Sequence, residues 1–370
     1  MKLTPDFEGR RRKLVRKLRG AGLDALIVSA ESNVRYLTGF TGDSTWLLVS
    51  RQHITLISDT RYETQLADEC PDVPAVIRDA GSTMNASVEK VAKSQSLHQI
   101  GFEAEHVTVS QLRAMELSLS TVSLIPTSGL VEQLRQIKDK WELDQIRQAI
   151  QMAERGISVV RSSLRPDQTE KQIRYLLEEA MRGFGADGPA FEPIVGVGPT
   201  GALPHAHAGD LTVSESPALL IDWGATTPSG YRSDLTRCFF TGRPTKKMQS
   251  VYELVLAAQE AAIRAIAPGV TCSEVDAVAR GMIADGGYGR YFGHGLGHGF
   301  GLDIHESVRL SPISDQVLAP GMVVTVEPGI YLAGRFGIRI EDDILVTRNG
   351  YEILTSVPKD FESAIVDYLA

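Results

Sequence analysis

Between residues 222 and 341, five ionisable side chains stand in or beside short apolar or glycine-rich runs. They are Asp222 in LLIDWGA, Asp234 in RSDLTR, His298 in GHGLGHG, Glu327 in VVTVEPGIY and Glu341 in GIRIEDD. Runs of that kind read as buried strands, and a carboxylate at the end of a buried strand cannot stay charged without a partner. Four of the five are carboxylates, and a pair of divalent metal ions neutralises four at once. The chain is thereby constrained to a fold that brings these strand ends to one point.

Each pair taken alone has a plainer reading. Asp222 ends ALLID, Asp234 lies in YRSDLTRCFF, and the turn-rich GATTPSG between them predicts a hairpin. Two unrelated aspartates, each hydrogen-bonded locally, explain that pattern equally well. Glu327 ends VVTVE and is stopped by Pro328-Gly329, while Arg339 and Glu341 stand two apart in an expected strand and so share a face. A surface ion pair would also give that spacing, but the apolar flanks argue against it. The stretch GHGLGHGFGLDIHES carries His294, His298 and His305 among glycines. His298 and His305 are too far apart for one helical turn and do not make an HExxH helix. One of them reads as a ligand and the other as a residue outside the ligand set or against substrate. For His294 a buried histidine satisfied by carbonyls is a reasonable alternative, and His205 before its strand has the same bland reading. His207 reads as a loop residue. Carboxylates with one imidazole suit Mn²⁺, Co²⁺, Fe²⁺ or Zn²⁺, and the imidazole argues against Mg²⁺ or Ca²⁺. Two such ions can activate water and clamp a tetrahedral intermediate.

At 370 residues two domains are expected. The first part interleaves strands (25–29, 46–50, 53–58, 73–78, 99–103, 122–126) with helices (7–20, from Arg61, 87–95), an α/β pattern. A boundary near Thr127–Gly129 gives domains 1–128 and 129–370. Beyond it a long helical pattern breaks near Lys138–Lys140, and a helix follows Thr169. Strands are expected near 191–197, 218–222, 231–240, 322–327 and 337–346, and helices near 248–266 and 272–285. Two helices thus precede a strand set twice, and residues 268–287 echo 165–185, which suggests an internal duplication in an α+β domain. A net charge of −8 argues against nucleic acid as the main partner, because phosphate binding needs a basic footprint. No apolar run approaches the roughly 20 residues that span a membrane. The basic N-terminus lacks the apolar segment of a secretory signal and reads as an amphipathic helix with Leu14, Val15 and Leu18 inward. Cys70, Cys238 and Cys272 have no paired spacing, which suits a reducing cytoplasm.

The order of HAHAGD, IDWGA, SDLTR, GHGLGH with a following HE, TVEPGIY and GIRIED resembles the pita-bread metallopeptidases, a family that includes aminopeptidase P, prolidase, methionine aminopeptidase and creatinase. The catalytic resemblance covers about residues 130–360. NVRYLTGFTG and SDTRYETQ resemble the accessory domain of aminopeptidase P, prolidase and creatinase. The resemblance implies an α+β fold, namely a C-terminal pita-bread domain with pseudo-twofold duplication and a smaller N-terminal creatinase-like α/β domain.

It also implies roles. Asp222 would chelate one metal ion with both oxygens, and Asp234 and Glu341 would bridge two. His298 and Glu327 would complete the two ions, in an order left open. Glu327 would also be the general base, His305 would stabilise the tetrahedral oxyanion, and His205 would contact the substrate carbonyl or the proline side. Tyr331 and Arg339 would orient ligands and substrate. His294 would stand near the site, and His207 stands where the family often has arginine or another polar residue. The implied cofactor is two divalent ions, Mn²⁺ first, with Co²⁺, Zn²⁺ or Fe²⁺ as alternatives. The implied activity is Xaa-Pro aminopeptidase, with the Xaa-Pro dipeptidase as alternative, on a proline-containing peptide. A metal-free creatinase-like hydrolase or a non-catalytic binding module fits less well, because the five ligand positions are intact. By the same analogy the chain is a homodimer, with Tyr36, Phe40, Arg61 or Tyr62 approaching the substrate of the neighbouring subunit.

Overall fold

The computed structural model describes residues 3–366. It divides into two compact units, Met1–Arg135 and Gln136–Ala370, where the sequence suggested a division at 128/129. The intervening turn of helix stays with the first unit because Arg135 Nη1 donates to Asn33 Oδ1 at 2.8 Å and to Ser32 Oγ at 2.9 Å.

The first unit runs α1 (Phe7–Gly20), β1 (Ala25–Val28), α2 (Glu31–Thr38), β2 (Trp46–Ser50), β3 (Ile54–Asp59), α3 (Glu63–Glu69), β4 (Ala75–Arg78), α4 (Met84–Ser94), β5 (Gln99–Glu103), α5 (Val109–Ser118), β6 (Ser123–Thr127) and α6 (Glu132–Arg135). Its sheet has the order β4-β3-β2-β1-β5-β6. In α1, Leu14 and Leu18 are buried one turn apart, while Val15 is only half-buried because it lies about 100° round the helix from Leu14. Helices α2 and α5 were not anticipated. Helix α2 occupies the NVRYLT segment and ends at Gly39, whose φ of 88° is open to glycine at little cost. Tyr36 and Phe40 are 2% and 1% exposed. Burial in their own unit removes them from any neighbour's substrate, leaving Arg61 and Tyr62 of the expected four.

The second unit runs α7 (Lys140–Ser162), α8 (Glu170–Gly183), β7 (Gly188–Pro189), β8 (Ile194–Val197), β9 (Ala218–Trp223), β10 (Ala225–Thr226), β11 (Leu235–Thr241), α9 (Lys246–Ala265), α10 (Cys272–Asp285), β12 (Gly297–Gly299), β13 (Glu306–Leu310), β14 (Val323–Val326), β15 (Gly329–Leu332), β16 (Phe336–Arg339), β17 (Asp342–Thr347), β18 (Gly350–Ile353), α11 (Phe361–Ala364) and β19 (Ile365–Val366). Of the two main sheets, β19-β11-β9-β8 shares one core with α7 and α8 on one face and, on its other face, joins β13-β12-β14-β17-β18 in a second core with α9 and α10. The duplication is visible in the helix starts. Thr169 and Thr271 cap α8 and α10 through capping boxes with Gln172 and Glu274, and each threonine also bridges to a distant segment, at Thr212 and Val317.

Parts of the glycine- and histidine-rich stretch form β12 and β13. One local expectation is corrected. The expected strand over 337–346 is broken at Ile340–Glu341, so Arg339 ends β16 while Glu341 precedes β17 in a different sheet. The break lets the Glu341 N–H donate to the Thr236 carbonyl at 3.1 Å, across to β11. Among the described residues no helix is long and apolar enough to cross a membrane.

Candidate metal centre

Strand alternation aims the side chains. In β9, Leu219, Ile221 and Trp223 join the core of α7 and α8, so Leu220 and Asp222 turn to the opposite face. In β11, Leu235 and Phe239 join that core and Thr236 turns away. In β14, Val324 and Val326 join the core of α9 and α10, which turns Thr325 to the other face. Trp223 anchors the strand end beside Asp222 by donating from Nε1 to the Ala153 carbonyl at 3.0 Å.

These faces converge. Ligand atoms of Asp222, Asp234 and Glu341 all lie within 4.8 Å of one another. His298 Nε2 stands 3.5 Å from Asp234 Oδ2 and 3.4 Å from Glu327 Oε1. The five expected residues are thus brought to one place. The tautomer of His298 follows from its other nitrogen. Nδ1 lies 3.2 Å from the Gly299 carbonyl, which fits a proton on Nδ1 and leaves the Nε2 lone pair facing the carboxylates. Burial, and then His305, pushes this imidazole down to about 3, so it is neutral near pH 7.

The carboxylates are electrostatically frustrated. Burial raises Asp222, Asp234 and Glu341, and at Asp234 the neighbouring Glu341, Asp222 and Glu327 push further in the same direction. Glu327 is pushed up to about 7, by burial first and by Asp222, against the pull of Arg339. Asp222 Oδ1 is buried and has no hydrogen-bond donor. An orphaned carboxylate oxygen, crowded like charges and an imidazole lone pair together fit one or more borderline divalent cations. Asp222, Asp234, His298, Glu327 and Glu341 are the residues that would hold them.

Arg339 is the cation already present, 3% exposed. Nη2 bonds Asp222 Oδ2, Nε donates to Thr236 Oγ1 at 2.9 Å, and Nη1 donates to the Tyr331 hydroxyl at 2.8 Å. Burial alone would lower its pKa, but Tyr331, Asp222, Glu327 and Glu341 hold it well above the ordinary value. His294 Nε2 lies 2.9 Å from the same Tyr331 hydroxyl, and its Nδ1 lies 2.8 Å from the Gly295 carbonyl. Burial, and then Arg339, pushes His294 down to about 4. Two threonines complete the frame. Thr236 Oγ1 donates to Glu341 Oε2 at 2.6 Å. Thr325 Oγ1 accepts from the His298 N–H at 3.0 Å and donates to Glu327 Oε1 at 3.2 Å.

Above the cluster opens a cavity of about 570 Å³, lined by His205, His294, His305, Arg309, Phe191 and Ile304 among others. His305 stacks edge-on with His298, ring centres 4.3 Å apart. Burial, and then Arg309, holds its imidazole below the usual value. His207 is also on the wall, but its side chain is 87% exposed and 3.7 Å from Glu192. Sequence reasoning missed Arg309, Thr236 and Thr325. The signal for Arg309 was there: β13 alternates buried and exposed, placing Arg309 on the face that His305 shares.

Residues 144–348 match the family described as Metallopeptidase family M24, and residues 10–137 match the Creatinase/Prolidase N-terminal domain. The uncharacterized peptidase YqhT of Bacillus subtilis is 37% identical, over 92% of this chain and 95% of its own length. Among solved structures, the Xaa-Pro dipeptidase from Bacillus anthracis superposes with a TM-score of 0.92 at 36% identity, covering 98% of this chain and 100% of that one. The X-Pro aminopeptidase from Thermotoga maritima gives 0.86 at 38% identity, covering 95% and 99%.

Proposed function

This chain belongs to metallopeptidase family M24, and from that membership we propose that it cleaves the bond between a peptide's N-terminal residue and a following proline. The carrying observation is the cluster of four carboxylates and the His298 lone pair at the foot of a peptide-sized cavity. The linkage to proline rests on the named substrates of the Bacillus anthracis and Thermotoga maritima relatives.

Bound divalent ions, with Mn²⁺ the first candidate, would supply Lewis-acid polarisation of a carbonyl and acidify water. The chain's own residues do the rest. Glu327 takes a proton from the attacking water and returns it to the proline nitrogen, which must be protonated to leave. His305 hydrogen-bonds the oxyanion as it develops. His205 contacts the substrate carbonyl or the proline side from the cavity wall. Arg339 holds Asp222 and the Tyr331 hydroxyl in place, and Tyr331 in turn orients His294.

An aminopeptidase acting on longer peptides is the first reading. Arg309 favours the second, a dipeptidase. Its guanidinium is exposed on the cavity wall, where it could take the free carboxylate that only a dipeptide carries directly on proline. Homodimer formation and a cytoplasmic location belong to the same proposal.

Hydrolysis of Xaa-Pro and Xaa-Pro-Yaa peptides, with chelator and with added Mn²⁺, tests both levels. Activity that survives complete metal removal defeats the mechanism. The ratio of dipeptide to tripeptide rates decides between the readings.

A further inference from the structure

Strand β13 and the residue before it present His305, Ser307 and Arg309 on one face, yet little in the sheet holds the strand. It is an edge strand paired only with β12, and the register of that pair shifts between His298 and Gly299. A ladder interrupted by a bulge does not fix an edge strand by itself. On the opposite face of β13, Val308 and Leu310 join the core of α9 and α10, and the end of the strand nearest His305 is held by Glu306. Glu306 points inward and accepts from Lys138 Nζ at 2.7 Å, with the two side chains 6% and 2% exposed. Its other oxygen accepts from the Leu302 N–H at 3.2 Å, closing the loop that ends in His305. Lys138 is itself fixed, because its backbone N–H donates to the Gly321 carbonyl at 2.8 Å. The pair also packs on Gly301, where a Cβ would come within 2.9 Å of Glu306 Oε1 and 3.2 Å of Lys138 Cε. One face of the strand is therefore clamped while the other meets the cavity.

We propose that Lys138 and Glu306 are positioning residues, a buried ion pair that sets His305 and Arg309 against the substrate. The inference rests on the substrate-facing roles given to those two residues under the proposed function. A buried pair can often be replaced without loss of stability, but removing one partner leaves an uncompensated charge. The clamp should therefore show itself in catalysis more than in metal binding, because neither residue touches the carboxylate cluster.

The test compares wild type with K138M, K138R and E306Q, loaded with Mn²⁺, on Xaa-Pro peptides. K138M is expected to lose roughly 10- to 100-fold in kcat/KM, the cost of misplacing a catalytic group by about an ångström. Its Mn²⁺ affinity by calorimetry should stay at the wild-type value, and K138R should recover most of the activity. Hydrogen–deuterium exchange should quicken across 302–309, the Leu302 amide first. A folded K138M with unchanged kcat and KM overturns the inference, as does a loss of activity that tracks a loss of metal affinity. If K138M does not fold, E306Q, which keeps an acceptor for Leu302, must show the same loss at a milder level, and wild-type kinetics in E306Q overturn the clamp. If the wild type cleaves no Xaa-Pro bond, the proposed function fails separately. The clamp then stands or falls on the exchange result, and unchanged exchange in K138M refutes it.

Discussion

Thr236→Val isolates the hydroxyl that joins the arginine to a metal-facing carboxylate. Thr236 is fully buried, and valine has nearly its shape, so no cavity opens. What disappears is one oxygen with two bonds, the donation to Glu341 Oε2 at 2.6 Å and the acceptance from Arg339 Nε at 2.9 Å. Both partners are ionic groups, and hydrogen bonds to charged groups contribute about 1.5–3 kcal/mol each. Arg339 keeps its bonds to Asp222 and Tyr331, so the guanidinium drifts and is not expelled. The net cost to metal-free stability should be about 2–4 kcal/mol, near the penalty for leaving the buried Nε–H unsatisfied. Glu341 meanwhile loses the donor that presets its rotamer. Loss of such a supporting partner weakens metal affinity by roughly 10- to 100-fold, which is about 1.4–2.7 kcal/mol. Thr236→Ser is the control, since it keeps the hydroxyl and deletes only a methyl group. It should lose about 1 kcal/mol of stability and no metal affinity. Calorimetric Mn²⁺ titration and thermal melting of the chelated protein measure the two quantities. An affinity in Thr236→Val equal to wild type, or an equal loss in Thr236→Ser, would refute the reasoning.

Three more outcomes are expected. Between pH 4.5 and 6.5 the metal-free protein feels opposed effects: His294 and His298, with lowered values, cost stability as pH falls, while the raised carboxyls cost stability as it rises. Above 6.5 only the carboxyl effect remains, so chelated protein should melt lower at pH 8 than at pH 6.5, and metal-loaded protein should lose most of that slope; a rising melting temperature in the chelated protein would be the contrary result. Arg309→Met should raise KM for an Xaa-Pro dipeptide by about 10-fold or more, the order of one charge-assisted bond, and leave a tripeptide nearly untouched; equal effects on both would remove Arg309 from carboxylate recognition. Asp342→Asn should cost about 3–5 kcal/mol in chemical denaturation, because the Asp342 carboxylate lies 2.7 Å from the fully buried Arg237 and also takes donors from Thr355, Gln259 and Lys359; a loss under about 1 kcal/mol would show the network is not needed.

Local signals carried far into the fold. Thr169 announced its helix because a side-chain cap is made within four residues, and a contact that short is written directly in the chain. Helix α2 was missed because its NVRYLT segment is short and mostly buried, so no polar face marks the helical period. The break at Ile340–Glu341 was missed for a different reason. The GIRIEDD pattern alternates as one strand would, and only the pull of the Thr236 carbonyl from another sheet interrupts it.

By itself the sequence determined which groups could form the centre. A charged side chain at the end of an apolar run needs a partner wherever the run is buried, and Asp222, Asp234, His298, Glu327 and Glu341 all met that condition in the order of a recognisable family. Tertiary structure alone decided how those groups are held. Thr236 reaches Glu341, Arg339 reaches Asp222, and Lys138 reaches Glu306 across separations of 105, 117 and 168 residues. Nothing local distinguishes Thr236 or Lys138 from any other buried threonine or lysine, and the motif that marks Arg339 does not say that it reaches Asp222. Their meaning comes from two sheets, packed through two shared cores, that bring their strand ends to one cavity.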